Sequence, residues 1–361
     1  MSFDADIAIV GAGMAGASLA AEVAAEASVL LLEAEDQPGY HSTGRSAAFW
    51  SESYGGPFVQ PLTTASGPFL AEHGFLKPRG ALHLADRDGL AALEALRAEV
   101  GAEVAFERLD RGRLRALVPG LRPGWDTGLL EGSCADIDVA GLHSYCLARA
   151  RRSGARLVTG VEACALRREG GGWTVETAAG PFRARILVNA AGAWADRVAG
   201  LAGAARVGLQ PFRRTLLQLR VDPPAPAGLP LVIDARGRFY FKPEAGGRLW
   251  LSPHDETASD PCDCAPEEMD VALAIDRLEG VVDWKVERVE RSWAGLRSFA
   301  PDRRPVYGFD PAVPGFFWCA GQGGFGIQTA PAAAALAAAL LLGWTPALDP
   351  APFLPGRFQR L

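Results

Sequence analysis

Three glycines, Gly11, Gly13 and Gly16, follow the apolar run Ile7 to Val10 at the spacing G-x-G-x-x-G. Each has a physical use. The first permits a tight turn, the second lets the backbone approach a pyrophosphate, and the third lets a helix pack close to a strand. Ala15 sits in the same turn, where the helix N-terminus offers free N–H groups and a positive dipole end to phosphates. Glu33 stands at the end of a second apolar run, Val29 to Leu32. A carboxylate there can accept hydrogen bonds from the ribose hydroxyls of an adenosine. This constellation points to a bound dinucleotide. The stretch Gln37 to Ser46 then supplies glycine, hydroxyls and one arginine: Ser42, Thr43, Arg45 and Ser46, with Ala47 beyond them. Such residues can wrap a second pyrophosphate face, which suits a cofactor held permanently better than an exchangeable nicotinamide.

Two later stretches repeat the pattern of bare backbone after a strand. Asn189 to Trp194 puts Ala191, Gly192 and Trp194 beside the cofactor. The glycine-rich loop holding Gly321, Gly323, Gly326, Ile327, Gln328 and Thr329 feeds a helix, and its N–H groups can hold the polar end of a flavin ring. The residues that could act on a substrate are Arg214, Tyr240, Arg297 and Gly324, with Tyr54 on a loop above them. An arginine fork binds both oxygens of a carboxylate, and a phenol adds a donor. Taken singly, each arginine also fits an ordinary ion pair. Five histidines and six scattered cysteines single out no nucleophilic triad and no metal-ligand spacing. A flavin needs neither, because it takes a hydride from a carbon next to an amine once the substrate is oriented.

The elements that position these residues follow from local pattern. Residues 1–50, 136–205 and 300–361 read as a discontinuous α/β cofactor domain. Residues 51–135 and 206–299 read as a substrate domain built on antiparallel strands with one polar face. Helices are expected over Phe58 to His73, Asp88 to Val100 with Leu90, Leu93 and Leu96 on one face, Val139 to Ser153 capped by Asp138, Pro266 to Gly280, and Ala332 to Leu342. Strands are expected over Arg79 to Ala85 and Ile186 to Ala190. The loop Phe49 to Pro57, with Trp50, Tyr54 and paired glycines, suits a mobile lid and equally a surface loop tucked onto the core.

A formal charge of −6 argues against nucleic acid or an anionic membrane as the main partner. No run of eighteen apolar residues occurs and no basic N-terminal region precedes the first strand. Free thiols in a reducing cytoplasm are the expectation, with peripheral contact to the inner face of a membrane as the alternative.

The segments "GAGMAGAS", "QPGYHSTGRSAA", "ADIDVAGLH", "LVNAAGAWAD", "GLQPFRR", "FYFKPEAG", "SWAGLRSFAPD" and "GFFWCAGQGGFGIQT" span nearly the whole chain. With them the chain resembles the glycine oxidase/D-amino acid oxidase family of FAD enzymes, and within it the bacterial D-arginine dehydrogenase type. The resemblance implies FAD, a Rossmann-type cofactor domain, and a second domain whose sheet covers the flavin. It implies that Arg214 and Arg297 clamp a substrate carboxylate, that Tyr240 touches it, and that Tyr54 belongs to a lid. It further implies that the Gly324 carbonyl meets the substrate amine and that the backbone of Val161 meets the adenine.

Two positions depart from the D-arginine type. Ala81 stands where that type has a glutamate for the guanidinium, and Phe49 replaces a histidine near the substrate. Both make the pocket more apolar. The expectation is oxidation of a neutral or apolar D-amino acid to the imine, then to a 2-oxo acid and ammonia, with a quinone or oxygen as electron acceptor. The alternatives are a glycine or sarcosine oxidase, a 2-hydroxy-acid dehydrogenase on the same fold, and a flavoprotein subunit with structural FAD.

Overall fold

The computed structural model describes residues 2–101 and 103–358. Two large sheets and one small one carry the chain. The centre of the first sheet is the strand Ala5–Val10, parallel to Val29–Leu32 on one side and to the strand Gly180–Asn189 on the other. Arg156–Val158 and Phe316–Ala320 extend the parallel set at the two ends. Every residue of Val29–Leu32 and of Phe316–Ala320 is buried. Strands covered on both faces read as unbroken apolar runs rather than as alternation. One cover is the helix Met14–Val23 with Val139–Arg152 and Ala330–Leu342 against it. These helices approach closely because their buried positions are small, such as Ala17, Ala20, Ala333 and Ala337. Among the described residues no helix is long and apolar enough to cross a membrane.

The second sheet has nine strands. Its spine is a long antiparallel pair, Gln210–Asp222 with Lys285–Phe299, in a register that sets Phe212 opposite Arg297 and Arg214 opposite Gly295. Alternation divides its side chains between two faces. Leu217, Leu219, Phe241, Leu249 and Leu251 build one core with the helix Glu268–Glu279. Arg214, Leu216, Tyr240, Trp250 and Trp293 take the other face, toward the glycine turns of the first sheet. One pair, Ala81–Ala85 with Leu231–Asp234, is parallel, so the sheet is mixed rather than wholly antiparallel. A small sheet, Phe49–Trp50 and Leu76–Pro78 on either side of Ala135–Ile137, stitches the two large ones together.

Some local expectations shift. Arg79 and Gly80 precede the strand, which begins at Ala81. The helix Leu90–Val100 buries Leu93 and Val100 while Leu90 is exposed, so its contact stripe is narrower than its leucines suggest. The strand Gly180–Asn189 begins six residues before Ile186. Its first half pairs antiparallel with Gly172–Thr177 and its second half joins the parallel set. Local patterning catches only the end of the strand, where Leu187, Val188 and Asn189 are buried. The Asp138 cap is present: its carboxylate accepts from the N–H of Gly141 at 2.9 Å.

Candidate active site

The glycine turn is shaped by close approach. Gly11 has φ +102°, and a Cβ there would lie 2.4 Å from the carbonyl oxygen of Ala190. A Cβ on Gly16 would lie 1.9 Å from the carbonyl oxygen of Gly11, so helix and turn touch backbone to backbone. Gly13 begins the helix in extended conformation. The stretch 39–46 folds back over this helix start, where Met14 N–H donates to Thr43 Oγ1 at 2.9 Å. Ala12, between the first two glycines, is held at both backbone groups. Its N–H donates to Glu33 Oε2 and its carbonyl accepts from His143 Nε2, both at 2.8 Å. Burial pushes the His143 imidazolium down, so the ring is neutral and carries its proton on Nε2. Nothing in local sequence marks His143 for this role beyond its place in the "ADIDVAGLH" stretch. Glu33 Oε1 takes the Glu35 N–H at 3.0 Å, and a carboxylate has further lone pairs for ribose hydroxyls.

One cavity of about 530 Å³ joins this turn to the second sheet. Gly11, Gly13, Ala15, Glu33 and Val161 line it at one part, Ser42, Thr43, Ser46 and Ala47 at another. Ala191, Gly192, Gly323, Gly324 and Gly326 add bare or small backbone, Trp194 and Ile327 add larger side chains, and Arg214, Leu216, Gly295 and Arg297 come from the second sheet. Gly192 has φ +53° and open space where a Cβ would stand. The volume lies in the range of small-molecule and cofactor sites. Glycine backbone at a helix start, a carboxylate at the second strand end and a glycine loop opposite fit a dinucleotide.

Several expected contacts sit elsewhere. Gly16 lies behind the turn as a packing residue. A Cβ on Gly321 would meet the Leu209 side chain at 3.0 Å, and Thr329 is buried with its hydroxyl donating to the Phe325 carbonyl at 2.8 Å. Gln328 is buried too. Its amide donates to the Tyr54 carbonyl at 3.0 Å and to Thr63 Oγ1 at 2.9 Å, so the side chain faces the loop rather than the cavity. Arg45 lines the cavity, but its guanidinium is paired with Asp263 at 2.5 Å and donates to the carbonyls of Cys264 and Ala294. The Val161 N–H is spent on the carbonyl of Glu33.

At the second sheet the charges are only partly compensated. Arg214 is 3% exposed. Its Nε donates to the Asp255 carbonyl at 2.7 Å and its Nη2 to Glu256 at 3.3 Å, while Nη1 is buried without a partner. Burial, and then the charge of Arg297, pushes Arg214 down to about 10, so it is still a cation at neutral pH. Arg297 Nη1 donates to Tyr54 OH at 3.0 Å. The Tyr240 hydroxyl is buried without a partner. A Cβ on Gly324 would stand 2.4 Å from Tyr54 OH and 3.2 Å from Arg297 Nη1, so any larger residue would have to displace the tyrosine hydroxyl. Phe49 lies between Tyr54 and Tyr240, with ring centroids 5.5 and 6.2 Å away. Ala81 packs fully buried in the cluster of Tyr240, Ala47 and Leu216. Buried donors are normally paired, and here two orphans stand near a second guanidinium with aromatic rings around them. Among the described residues no three His, Cys, Asp or Glu side chains gather as a metal site requires.

Comparison with known proteins agrees with a dinucleotide cofactor. The family described as DAO, FAD dependent oxidoreductase, matches residues 6–340. A glycine oxidase from Geobacillus kaustophilus is 26% identical over 378 aligned positions, covering 96% of both chains. The hydrogen cyanide synthase subunit HcnC of Pseudomonas aeruginosa is 28% identical across 70% of this chain and 60% of its own length. Among solved structures, an L-proline dehydrogenase from P. horikoshii superposes with TM-score 0.86 at 21% identity, covering 100% of this chain and 99% of the other. The Geobacillus kaustophilus glycine oxidase does so with TM-score 0.84 at 24% identity, covering 97% and 98%. At such identities the superpositions speak for the fold.

Proposed function

Because this chain belongs to the DAO family of FAD-dependent oxidoreductases and takes FAD as its cofactor, we propose that it oxidises the CH–NH2 group of a D-amino acid with a neutral or apolar side chain. The carrying observation is the orphaned Arg214 Nη1 beside Arg297 on the wall of the cofactor cavity, with the unpaired Tyr240 hydroxyl buried near them but outside the residues that line it. FAD supplies the acceptor for the hydride that leaves the carbon bearing the amine. The chain's own residues do the rest. Arg214 and Arg297 take the two carboxylate oxygens, and Tyr240 donates a further hydrogen bond. The Gly324 carbonyl accepts from the amine and so turns the α-carbon toward the bare backbone of Gly323 to Ile327. Phe49, Tyr54 and Ala81 enclose the side chain and keep water from it. The imine released is hydrolysed to a 2-oxo acid and ammonia, and the electrons pass to a quinone or to oxygen. Residues 1–50, 136–205 and 300–361 form the FAD domain in this reading, and 51–135 with 206–299 the substrate domain.

No carboxylate replaces the one that Ala81 lacks. Glu131 is opposite Ala81 in the strand register, but its oxygens are already taken by Ser51, Glu52 and Ser53. A cationic side chain would therefore be buried unpaired. Steady-state oxidation of D-leucine, D-methionine and D-phenylalanine against D-arginine tests this. The reading expects higher kcat/KM for the neutral set; a preference for D-arginine, or for a 2-hydroxy acid, overturns it. The second reading, a glycine oxidase, has its support in the full-length match to such an enzyme at 26% identity. Glycine would then exceed every larger substrate in kcat/KM.

A further inference from the structure

The segment Ser51–Tyr54 carries the tyrosine that touches Arg297, and its neighbours Gly55 and Gly56 give it the composition of a lid. Buried side chains pin it from two sides. Glu131 ends the strand Thr127–Glu131 of the second sheet and is fully buried. Its Oε2 accepts from Ser51 Oγ at 2.8 Å and Ser53 Oγ at 2.5 Å, and its Oε1 from Glu52 N–H at 2.9 Å. Burial pushes this carboxyl up, but His83, Ser53 and Ser51 outweigh it and hold the group below its ordinary value. It is therefore an ionised acceptor, and charged acceptors make the stronger hydrogen bonds. From the other side Gln328, 2% exposed, accepts from the Ser51 N–H at 3.3 Å and donates to the Tyr54 carbonyl at 3.0 Å. The same amide reaches Thr63 Oγ1 on the helix Gln60–Glu72 at 2.9 Å, which ties the loop to a rigid element. Three of the four residues of the segment are thus bonded to Glu131, and both of its ends to Gln328. At the far end of the chain of contacts, Tyr54 OH accepts from Arg297.

We propose that Glu131 and Gln328 are positioning residues that hold Ser51–Tyr54 as a fixed wall, so that Tyr54 sets the Arg297 guanidinium before any carboxylate arrives. The proposal rests on the assignment of Arg297 to the substrate carboxylate. Its physical gain is pre-organisation: a wall already ordered costs no ordering free energy when the ligand binds. Without this anchorage, a loop with two glycines would have to be frozen at each binding event.

Two measurements on the FAD-loaded protein test it. The first is amide hydrogen exchange over residues 51–54, which needs no substrate. These amides are expected to be protected in the parent protein and to exchange at least about tenfold faster in Glu131→Gln, with the helix Val139–Arg152 unchanged. Exchange in the parent as fast as in an exposed loop overturns the proposal. The second is binding of benzoate, followed by the flavin absorption spectrum, in Glu131→Gln, Tyr54→Phe and the double variant. Each single change is expected to weaken binding about tenfold and the double change no further, because both act through one contact. Additive losses overturn a role through Tyr54. If Glu131→Gln does not fold, Ser53→Ala removes one donor and leaves the carboxylate paired, and smaller shifts of the same pattern are expected. Should benzoate fail to bind the parent protein, the carboxylate assignment falls, while the exchange result still decides whether the wall is fixed.

Discussion

Arg214 and Arg297 are cations placed side by side with too little negative charge around them. Asp255 and Glu256 compensate Arg214 from behind, yet one of its terminal nitrogens and the Tyr240 hydroxyl stay unpaired. Replacing Arg297 by methionine should raise KM for an amino acid substrate about a hundredfold, since losing one partner of a buried charged contact costs about 2–5 kcal/mol. Initial-rate kinetics of the FAD-loaded variant read this directly, and unchanged KM would remove Arg297 from the site. Tyr240→Phe makes a sharper contrast. Its hydroxyl has no partner to lose in the free protein, so the melting temperature should hold or rise. Bound substrate loses one hydrogen bond, so KM should rise about threefold to tenfold, the equivalent of about 1 kcal/mol. A fall in melting temperature with unchanged KM would show the hydroxyl to be structural. Residue type alone left each arginine open to an ordinary ion pair; it was the family resemblance that singled out Arg214, Arg297 and Tyr240 for a carboxylate. Their pairing was not visible: Tyr54 and Arg297 are 243 positions apart, and only the folded chain shows that they meet.

At the scale of elements, the glycine turn was the most legible part of the chain. Gly11, Gly13 and Gly16 announce themselves by spacing, and the flanking runs announce the strands. Gly11→Ala should cost about 1–3 kcal/mol in backbone strain alone, with the Ala190 carbonyl in the way as well, and FAD should be lost on dilution. Retained flavin absorbance after gel filtration would contradict this. What local pattern could not show is how the turn is held from beneath. His143 lies 131 positions from Ala12 and grips its carbonyl from another helix. Burial lowers its pKa below the ordinary 6.5. The unfolded chain therefore binds a proton that the folded chain refuses, and stability must fall as pH drops below about 6.5 toward the folded-state value. Thermal melts between pH 7.5 and 5 should show a smaller decline in His143→Gln, which keeps an amide donor but does not titrate. Equal slopes in both proteins would rule out His143 as a source of the acid sensitivity. Glu131 and Gln328 belong to the same class. Glu131 at a strand end looks unexceptional in the sequence and Gln328 reads as a cofactor contact; only three-dimensional contact places both on one loop.

The whole molecule is two large sheets that meet at one cavity lined from both. The alternation of the strand Gln210–Asp222 sends Leu217 and Leu219 into one core and Arg214 and Leu216 into the cavity. The alternation was readable, though the second face was expected to be an outer polar one, and so was the return of the chain to the first sheet near Asn189. The parallel pairing of Ala81–Ala85 with Leu231–Asp234 was not, because strand direction in a mixed sheet depends on the route of the connection rather than on residue pattern. The cavity is lined by glycine backbone of the first sheet's turns on one side and by Arg214, Leu216 and Arg297 of the second sheet on the other. The most direct test of the central claim is anaerobic mixing of the purified yellow protein with D-leucine, L-leucine, glycine and a 2-hydroxy acid while the flavin absorption is followed. Bleaching by D-leucine, faster than by any of the other three, is the predicted result. Bleaching by the 2-hydroxy acid with none by any amino acid would contradict it.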